Sequence, residues 1–208
     1  MTLTNWNPNM NNKIEITNPD QYLANAEKTE SLIDQSKEID VPVLIETLAL
    51  VSQLGKVVNL LKKKLFYGTP VTYGDIEKQL EVVSEHVTSV FDELAQSNLE
   101  PDTRSVNVHL RFLHSVLGHV TEAAELAEVA HTCLIEDRIT EAQMVNIIEE
   151  LGDSSWYTAC ALNWSGTSYE EVWTKNINKL AARFPNQKFT QEAANNRDLD
   201  KELKELQT

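Results

Sequence analysis

Apolar residues along this chain recur at threes and fours, the period of a helix, and hardly anywhere at twos. Residues 1 to about 18 are rich in Asn and lack apolar periodicity, so they read as a loose arm. Asn18-Pro19-Asp20 is then a cap, a first-turn proline and an acid. The following QYLANAEKTESLI places Tyr22, Ala26 and Leu32 at helical spacing. Pro42 opens a second helix, PVLIETLALVSQLGKVVNLLKKKLF, which runs to Phe66 and stops at Tyr67-Gly68-Thr69-Pro70. A third is predicted from Asp75 to Ala95. The longest stretch follows Asn98 and Pro101, from Asp102 to Ile135, where Leu110, Leu113, Leu117, Val120, Ala124 and Ala127 share the period. Thr140 with Gln143 forms a capping box for a fifth helix to about Asn163, and Ser168 with Glu171 repeats the device for a sixth that Pro185 ends. A polar tail helix, Gln191 to Leu206, closes the chain. With no run of alternating strand residues, the expected fold is all-α, a bundle built from helix hairpins.

Composition narrows what such a bundle does. Lys and Arg number 18 against 32 Asp and Glu, a formal charge of -14. A field of that sign repels phosphate backbones and anionic lipid surfaces, so nucleic acid and membranes are not expected partners. A nucleotide remains admissible where divalent cations screen the carboxylates. Two cysteines, Cys133 and Cys160, are too few for a disulfide framework or a zinc cluster, which fits a reducing cytoplasm. The N-terminus lacks a charged start followed by an apolar run, and eighteen apolar residues nowhere occur in succession, so neither export nor a membrane span is expected.

Two carboxylate pairs carry the candidate chemistry: Glu122 with Glu125 in TEAAELAE, and Glu150 with Asp153 in IIEELGDSSWY. The i, i+3 spacing sets each pair on one helix face. The 24 residues from 126 to 149 allow a helix end, a turn at Glu136-Asp137-Arg138 and a return, so two antiparallel helices bring four carboxylates to one point. Such a group is strained unless a cation or a proton relieves it, and oxygen-only donors suit Mg²⁺ or Mn²⁺ over zinc. Singly, each acid reads first as part of a solvated face. The neighbouring Leu126, Ala127, Leu151, Trp156 and Tyr157 argue for partly buried stripes, where an unpaired acid is costly.

EAAEL, then EELGDSSWY, resembles the ExxE to ExxD signature of the all-α nucleoside triphosphate pyrophosphohydrolases, the MazG-like superfamily. NINKLAARFP resembles that family's Asn-Ile-x-Lys-Leu-x-x-Arg-Tyr-Pro segment with Phe184 for Tyr, and the tail NRDLDKE is similar to the ending of short, phage-type members. The resemblance is dense from about Leu113 to Glu205. It implies that Glu122, Glu125, Glu150 and Asp153 hold Mg²⁺, with Mn²⁺ as the substitute, and that the ions grip a nucleotide's triphosphate. A water deprotonated with help from Glu122 would attack the α-phosphorus and expel pyrophosphate. Asn176, Lys179 and Arg183, at i, i+3 and i+7, would reach phosphate or sugar oxygens, and Trp156 and Tyr157 would wall the base. An ordinary exposed helix surface and a packed core are the plainer readings of these two groups. Members commonly assemble across subunits, so a homodimer or homotetramer is the expectation, in the host cytoplasm if the chain is phage-encoded.

Residues 44 to 82 look like a second copy stripped of its acids. LALVSQLGKVVNLLKKKLFYG is similar to the family's first carboxylate helix and the Leu-Phe-Tyr-Gly after it, and QYLANAEKTES resembles its opening helix. Setting Val51 against Val120 puts Gln53 at Glu122 and Lys56 at Glu125; setting Asp75-Ile76 against Asn146-Ile147 puts Gln79 at Glu150 and Val82 at Asp153. The expected organisation is therefore an arm (1–18), a metal-free unit (19–98) and a carboxylate-bearing unit with its tail helix (102–208), together a pseudo-dimer. Lys62, Lys63 and Lys64 either face a triphosphate or form a solvated edge.

The reading that these features favour is a Mg²⁺-dependent nucleotide pyrophosphohydrolase. Phosphoribosyl-ATP or dUTP hydrolysis by the same machinery stands beside it. From other classes come a catalytically idle nucleotide-binding regulator and a helical interaction scaffold. His109, His114 and His119 are five apart, so neighbours on a helix do not share a face, and no helical zinc pair forms. The six glycines stand singly, which excludes a phosphate-cradling loop.

Overall fold

The computed structural model describes residues 15–31, 40–103, 108–184 and 187–207, and the described residues are helical with no strand. The helices are α1 (Pro19–Thr29), α2 (Val41–Phe66), α3 (Tyr73–Ser97), α4 (Leu110–Glu136), α5 (Glu141–Ser165), α6 (Tyr169–Arg183), α7 (Gln191–Asn195) and α8 (Leu199–Gln207). Most of the expected N-terminal arm, and Leu32 of the first helix, lie outside the described residues.

Capping residues set most of the starts. The Asn18 side chain accepts from the Gln21 amide, Asp40 from Val43, and Ser168 from Glu171. The capping box of Thr140 and Gln143 is present, and Thr72 with Asp75 makes another, so α3 begins two residues before the predicted Asp75. Each such cap contributes about 1 kcal/mol. The predicted start at Asp102 is overturned: that residue is not helical, and α4 begins at Leu110. Asp40 accepts from the Asp102 amide at 2.8 Å, and the Val41 amide donates to the Asp102 carbonyl at 3.0 Å. His109 then caps α4 through Nδ1. The single predicted tail helix is corrected too: it breaks into α7 and α8, with Arg197 in the intervening turn reaching Glu202.

α2 packs along α3 and α4 along α5, giving two hairpins of similar length; α1 lies across α5 and the start of α6, and α6 pairs with α8. Ala26, Ala159, Cys160 and Leu162 form the buried centre where α1 meets α5. Polar ties fasten α1 there. Trp156 Nε1 donates to Thr29 Oγ1 at 2.9 Å, Asn163 donates to the Leu23 carbonyl at 3.3 Å, and Glu30, almost fully buried, pairs with Arg111 at 3.1 Å.

The α2–α3 loop rests against the end of the chain. Tyr67 meets Phe189 with ring centres 5.9 Å apart, Thr69 Oγ1 donates to Asn195 Oδ1 at 2.7 Å, and Asn195 donates to the Tyr67 carbonyl at 3.4 Å. Gly68, at φ 61°, turns this loop in the left-handed region, where a Cβ would also overlap Gln191. Lys64 of the lysine run donates to the Val71 carbonyl and lies over the Tyr73 ring. Among the described residues one helix, α2, is long and apolar enough by length and composition to cross a membrane, a property that a search for consecutive apolar residues passes over because Gln53 and Lys56 interrupt the run.

Candidate functional site

α4 and α5 are antiparallel neighbours joined by a short turn in which Asp137 adopts the left-handed conformation, φ 52°. The turn returns α5 alongside the face that carries Glu122 and Glu125. Ligand-type oxygens of Glu122, Glu125 and Glu150 all lie within 4.8 Å of one another. Glu122 and Glu150 are buried, at 7% and 8% exposure, and Glu125 is open to solvent. Thr121 Oγ1 donates to Glu122 Oε1 at 3.2 Å.

Three carboxylates this close do not all remain ionised without a counter-charge. A hydrogen bond from the Glu150 carboxyl to Glu122, burial, and the charge of Glu125 together push Glu150 up from 4.5 to about 7. The cluster thus meets its own repulsion by sharing a proton, and a hard divalent cation with oxygen ligands serves the same end. The donor set fits Mg²⁺ or Mn²⁺, with Glu122, Glu125 and Glu150 as the residues that would hold it. Asp153 stands outside this cluster, an exposed residue one turn beyond Glu150; the Tyr157 and Tyr22 hydroxyls are raised chiefly by burial, with the charges of Glu122 and Asp153 adding for Tyr157 and that of Asp153 for Tyr22.

Beside the cluster lies an open groove of about 490 Å³, lined by Glu125, Glu128, Val129, Thr132, Gln143, Asn146 and Glu150. The sequence reading passed over Glu128, Thr132 and Asn146. They continue the same faces, Glu128 three residues after Glu125 and Asn146 four before Glu150, so extending the i, i+3/i+4 rows by a turn finds them.

Residues 113–188 match the family model of the MazG nucleotide pyrophosphohydrolase domain. This part of the chain resembles a MazG domain. The matched segment contains all four predicted metal ligands and the whole of α6, and leaves α1 to α3 and the tail helices outside. No curated protein and no solved structure matches the chain.

The remaining predicted residues of this segment are placed less closely together. Trp156 and Tyr157 sit half-buried in a ring cluster with His114, with centres 5.7 and 5.5 Å from the imidazole. The indole is committed to Thr29 of α1, and the phenol closes over Gly118, where a Cβ would overlap its ring. Their surroundings are those of packing residues. His119 reaches the Ser115 carbonyl and Thr158, as a satisfied surface histidine does. Of the flanking stripe, Leu126 is half-buried, whereas Ala127 and Leu151 are exposed.

On α6, Asn176 is exposed and Lys179 half-buried. Arg183 is engaged elsewhere: its Nε and Nη2 grip Glu202 of α8, with Nε to Oε1 at 2.9 Å, and Arg197 grips the same carboxylate from the other side. Glu202 is 4% exposed, and the two guanidinium groups hold its carboxyl down at about 2. The sequence did not reveal this partner, because the pair is 19 residues apart and separated by the α7 turn.

In the first hairpin, amides and an ammonium meet where α2 packs on α3. Gln79 Nε2 donates to Gln53 Oε1 at 3.0 Å, and Lys56 Nζ donates to the same oxygen at 3.0 Å. These are the residues that the alignment sets against Glu150, Glu122 and Glu125.

Proposed function

We propose that the chain is a divalent-cation-dependent nucleotide pyrophosphohydrolase that uses Mg²⁺, or Mn²⁺ in its place, to split a nucleoside triphosphate or related nucleotide into the monophosphate and pyrophosphate. The observation that carries the reading is the cluster of Glu122, Glu125 and Glu150 beside a groove in a segment that resembles a MazG domain. Glu122, Glu125 and Glu150 would hold the cation, and Asp153, one turn beyond Glu150, would be the fourth carboxylate available to it. When bound, the cation supplies charge neutralisation for the triphosphate and lowers the cost of ionising a water. Glu122, oriented by the Thr121 hydroxyl, takes the proton of the water that attacks the α-phosphorus. Asn176 and Lys179 meet phosphate or sugar oxygens as the nucleotide is bound. Trp156 and Tyr157 bound the base side by fixing the wall between α4, α5 and α1, and Arg183 fixes the end of α6.

In this proposal the first hairpin is a duplicate of the second that has lost its metal ligands, an assignment supported by the Gln53, Gln79 and Lys56 contacts. A catalytically idle nucleotide-binding regulator is the second reading, and the observation in its favour is that Arg183 is already occupied by Glu202. Pyrophosphate release from a panel of deoxy- and ribonucleoside triphosphates, phosphoribosyl-ATP and alarmones, with Mg²⁺, with Mn²⁺ and with chelator, tests it. Cation-dependent release from any member supports the hydrolase; nucleotide binding without release across the panel supports the regulator.

A further inference from the structure

α5 is held from two sides along the turn that carries Glu150 and Asp153. Toward α4 it presents Glu150, which bonds Glu122, and Tyr157, which closes over Gly118. Toward α1 it presents Trp156 and Asn163, which donate to Thr29 and to the Leu23 carbonyl, and the buried Ala159. At about 100° per residue Asp153 projects between these two faces, about 50° from the first and about 90° from the second. Its carboxylate therefore leaves α5 in the angle between α4 and α1.

On the α1 side of that angle stands Tyr22, whose hydroxyl donates to the Gly152 carbonyl at 3.2 Å. Burial and then the charge of Asp153 raise this hydroxyl, in keeping with its place beside the carboxylate. A second phenol joins from α6. Tyr169 Oη donates to the Ser155 carbonyl at 2.8 Å, and its ring meets that of Tyr22 edge-on with centres 6.4 Å apart. The two accepting carbonyls bracket Asp153, one residue before it and two after. Both lie inside α5, where the helical ladder assigns them the amides of Trp156 and Ala159. A carbonyl oxygen has a second lone pair, and the phenols take it. The helix does not need these donors to satisfy its backbone, so what they add to α5 is a fixed position for that turn.

We propose that Tyr22 and Tyr169 are positioning residues for Asp153, pinning its turn of α5 from α1 and α6 so that the fourth carboxylate is held at the edge of the Glu122, Glu125 and Glu150 cluster. This role rests on the cation-dependent reading above, because it takes Asp153 to be a carboxylate that the cation uses. α1, which lies outside residues 113–188, thereby becomes one wall of the site.

Tyr22→Phe and Tyr169→Phe remove the hydroxyls and keep both rings, so the helical signal in circular dichroism is expected to persist. The test is Mn²⁺ affinity of the full chain by titration calorimetry, with and without both substitutions, in the wild type and in Asp153→Asn. With Asp153 present, the two substitutions together are expected to raise the dissociation constant about tenfold, the low end of what loss of a ligand's outer partner costs. In the Asp153→Asn background they are expected to change nothing further, because the residue through which the phenols act is no longer a carboxylate. Undiminished affinity with Asp153 present overturns the proposal. An equal loss in both backgrounds overturns it as well, since the phenols would then act on the fold at large. A wild type that binds no Mn²⁺ strikes the cation-dependent reading and this role together. Absence of pyrophosphate release counts against the hydrolase alone, because the cycle reads affinity and not turnover.

Discussion

Gln79 donates to Gln53 across the α2–α3 pair at 3.0 Å, where Glu150 and Glu122 share a proton across the α4–α5 pair. A neutral amide hydrogen bond bridges the first hairpin, and the Lys56 ammonium on the same Gln53 oxygen adds fixed positive charge there. Hard cations bind poorly to amides beside an ammonium. Gln53→Ala and Lys56→Ala are accordingly expected to leave Mn²⁺ affinity and stoichiometry unchanged in titration calorimetry. A fall in either variant would show the first hairpin to be a working site.

The same comparison predicts a gain. Replacing Gln53, Lys56 and Gln79 together by Glu restores three carboxylates to one point of the first hairpin, which relieve their repulsion by taking up a cation. The triple variant is expected to bind more Mn²⁺ per chain than the wild type, read as added stoichiometry by calorimetry. Unchanged stoichiometry in a folded triple variant would mean that the two hairpins differ in geometry as well as in residues.

In the second hairpin the decisive substitution is Glu150→Gln. It removes a ligand charge at constant volume and preserves a hydrogen-bonding group against Glu122. Loss of an outer partner of a metal ligand costs about 10- to 100-fold, and loss of a ligand itself should exceed the upper figure. Pyrophosphate release is expected to disappear while helicity persists. Cation-free thermal stability should hold or rise, since one member of a repelling trio is neutralised. Turnover retained in this variant would remove Glu150 from the metal site.

Local signals made the helices legible: Pro19, Pro42, Thr140 and Ser168 each stand where chain entry into a helix is chemically favoured, and those starts agree with the structure to within a residue or two. Glu122, Glu125 and Glu150 were legible because helical spacing and a 24-residue return fix where side chains on a hairpin meet. What failed depends on contacts distant in sequence. Asp102 reads as a helix opener by itself, but its amide is tied to Asp40, 62 residues away, outside any helix. Arg183 reads as a phosphate ligand from its place on α6, yet Glu202 claims it once the tail breaks at Arg197 and folds back. The bond from the Trp156 indole to Thr29, 127 residues away, was likewise not legible from the sequence.

Gly118 ties that ring cluster to the carboxylates. It is buried on α4 one turn before Glu122, and a methyl group there would overlap the Tyr157 ring. Gly118→Ala gains helix propensity but overpacks the α4–α5 contact, which typically costs about 1 to 3 kcal/mol. The expected result is a lowered unfolding midpoint that Tyr157→Leu, by making room, largely restores. A stabilised single variant would show that Tyr157 swings aside freely and does not hold the two carboxylate helices in register.

The tail clasp gives a pH dependence of defined sign. Arg183 and Arg197 depress the Glu202 carboxyl from 4.5 to about 2, so the docked tail binds fewer protons than the undocked one. Its stabilisation is therefore complete above about pH 4.5 and is lost as pH falls from there through about 2; raising the pH from neutrality has no effect through this group. Amide exchange of α8, corrected for the intrinsic rate at each pH, should show protection that declines across that window. Glu202→Gln should lack the protection already at pH 7 and show little further change, because the charge that both guanidinium groups grip is absent. If the variant kept wild-type protection at pH 7, α8 would be held by Leu199, Leu203 and Leu206, and Arg183 would be free for the phosphate role that its place on α6 first suggested.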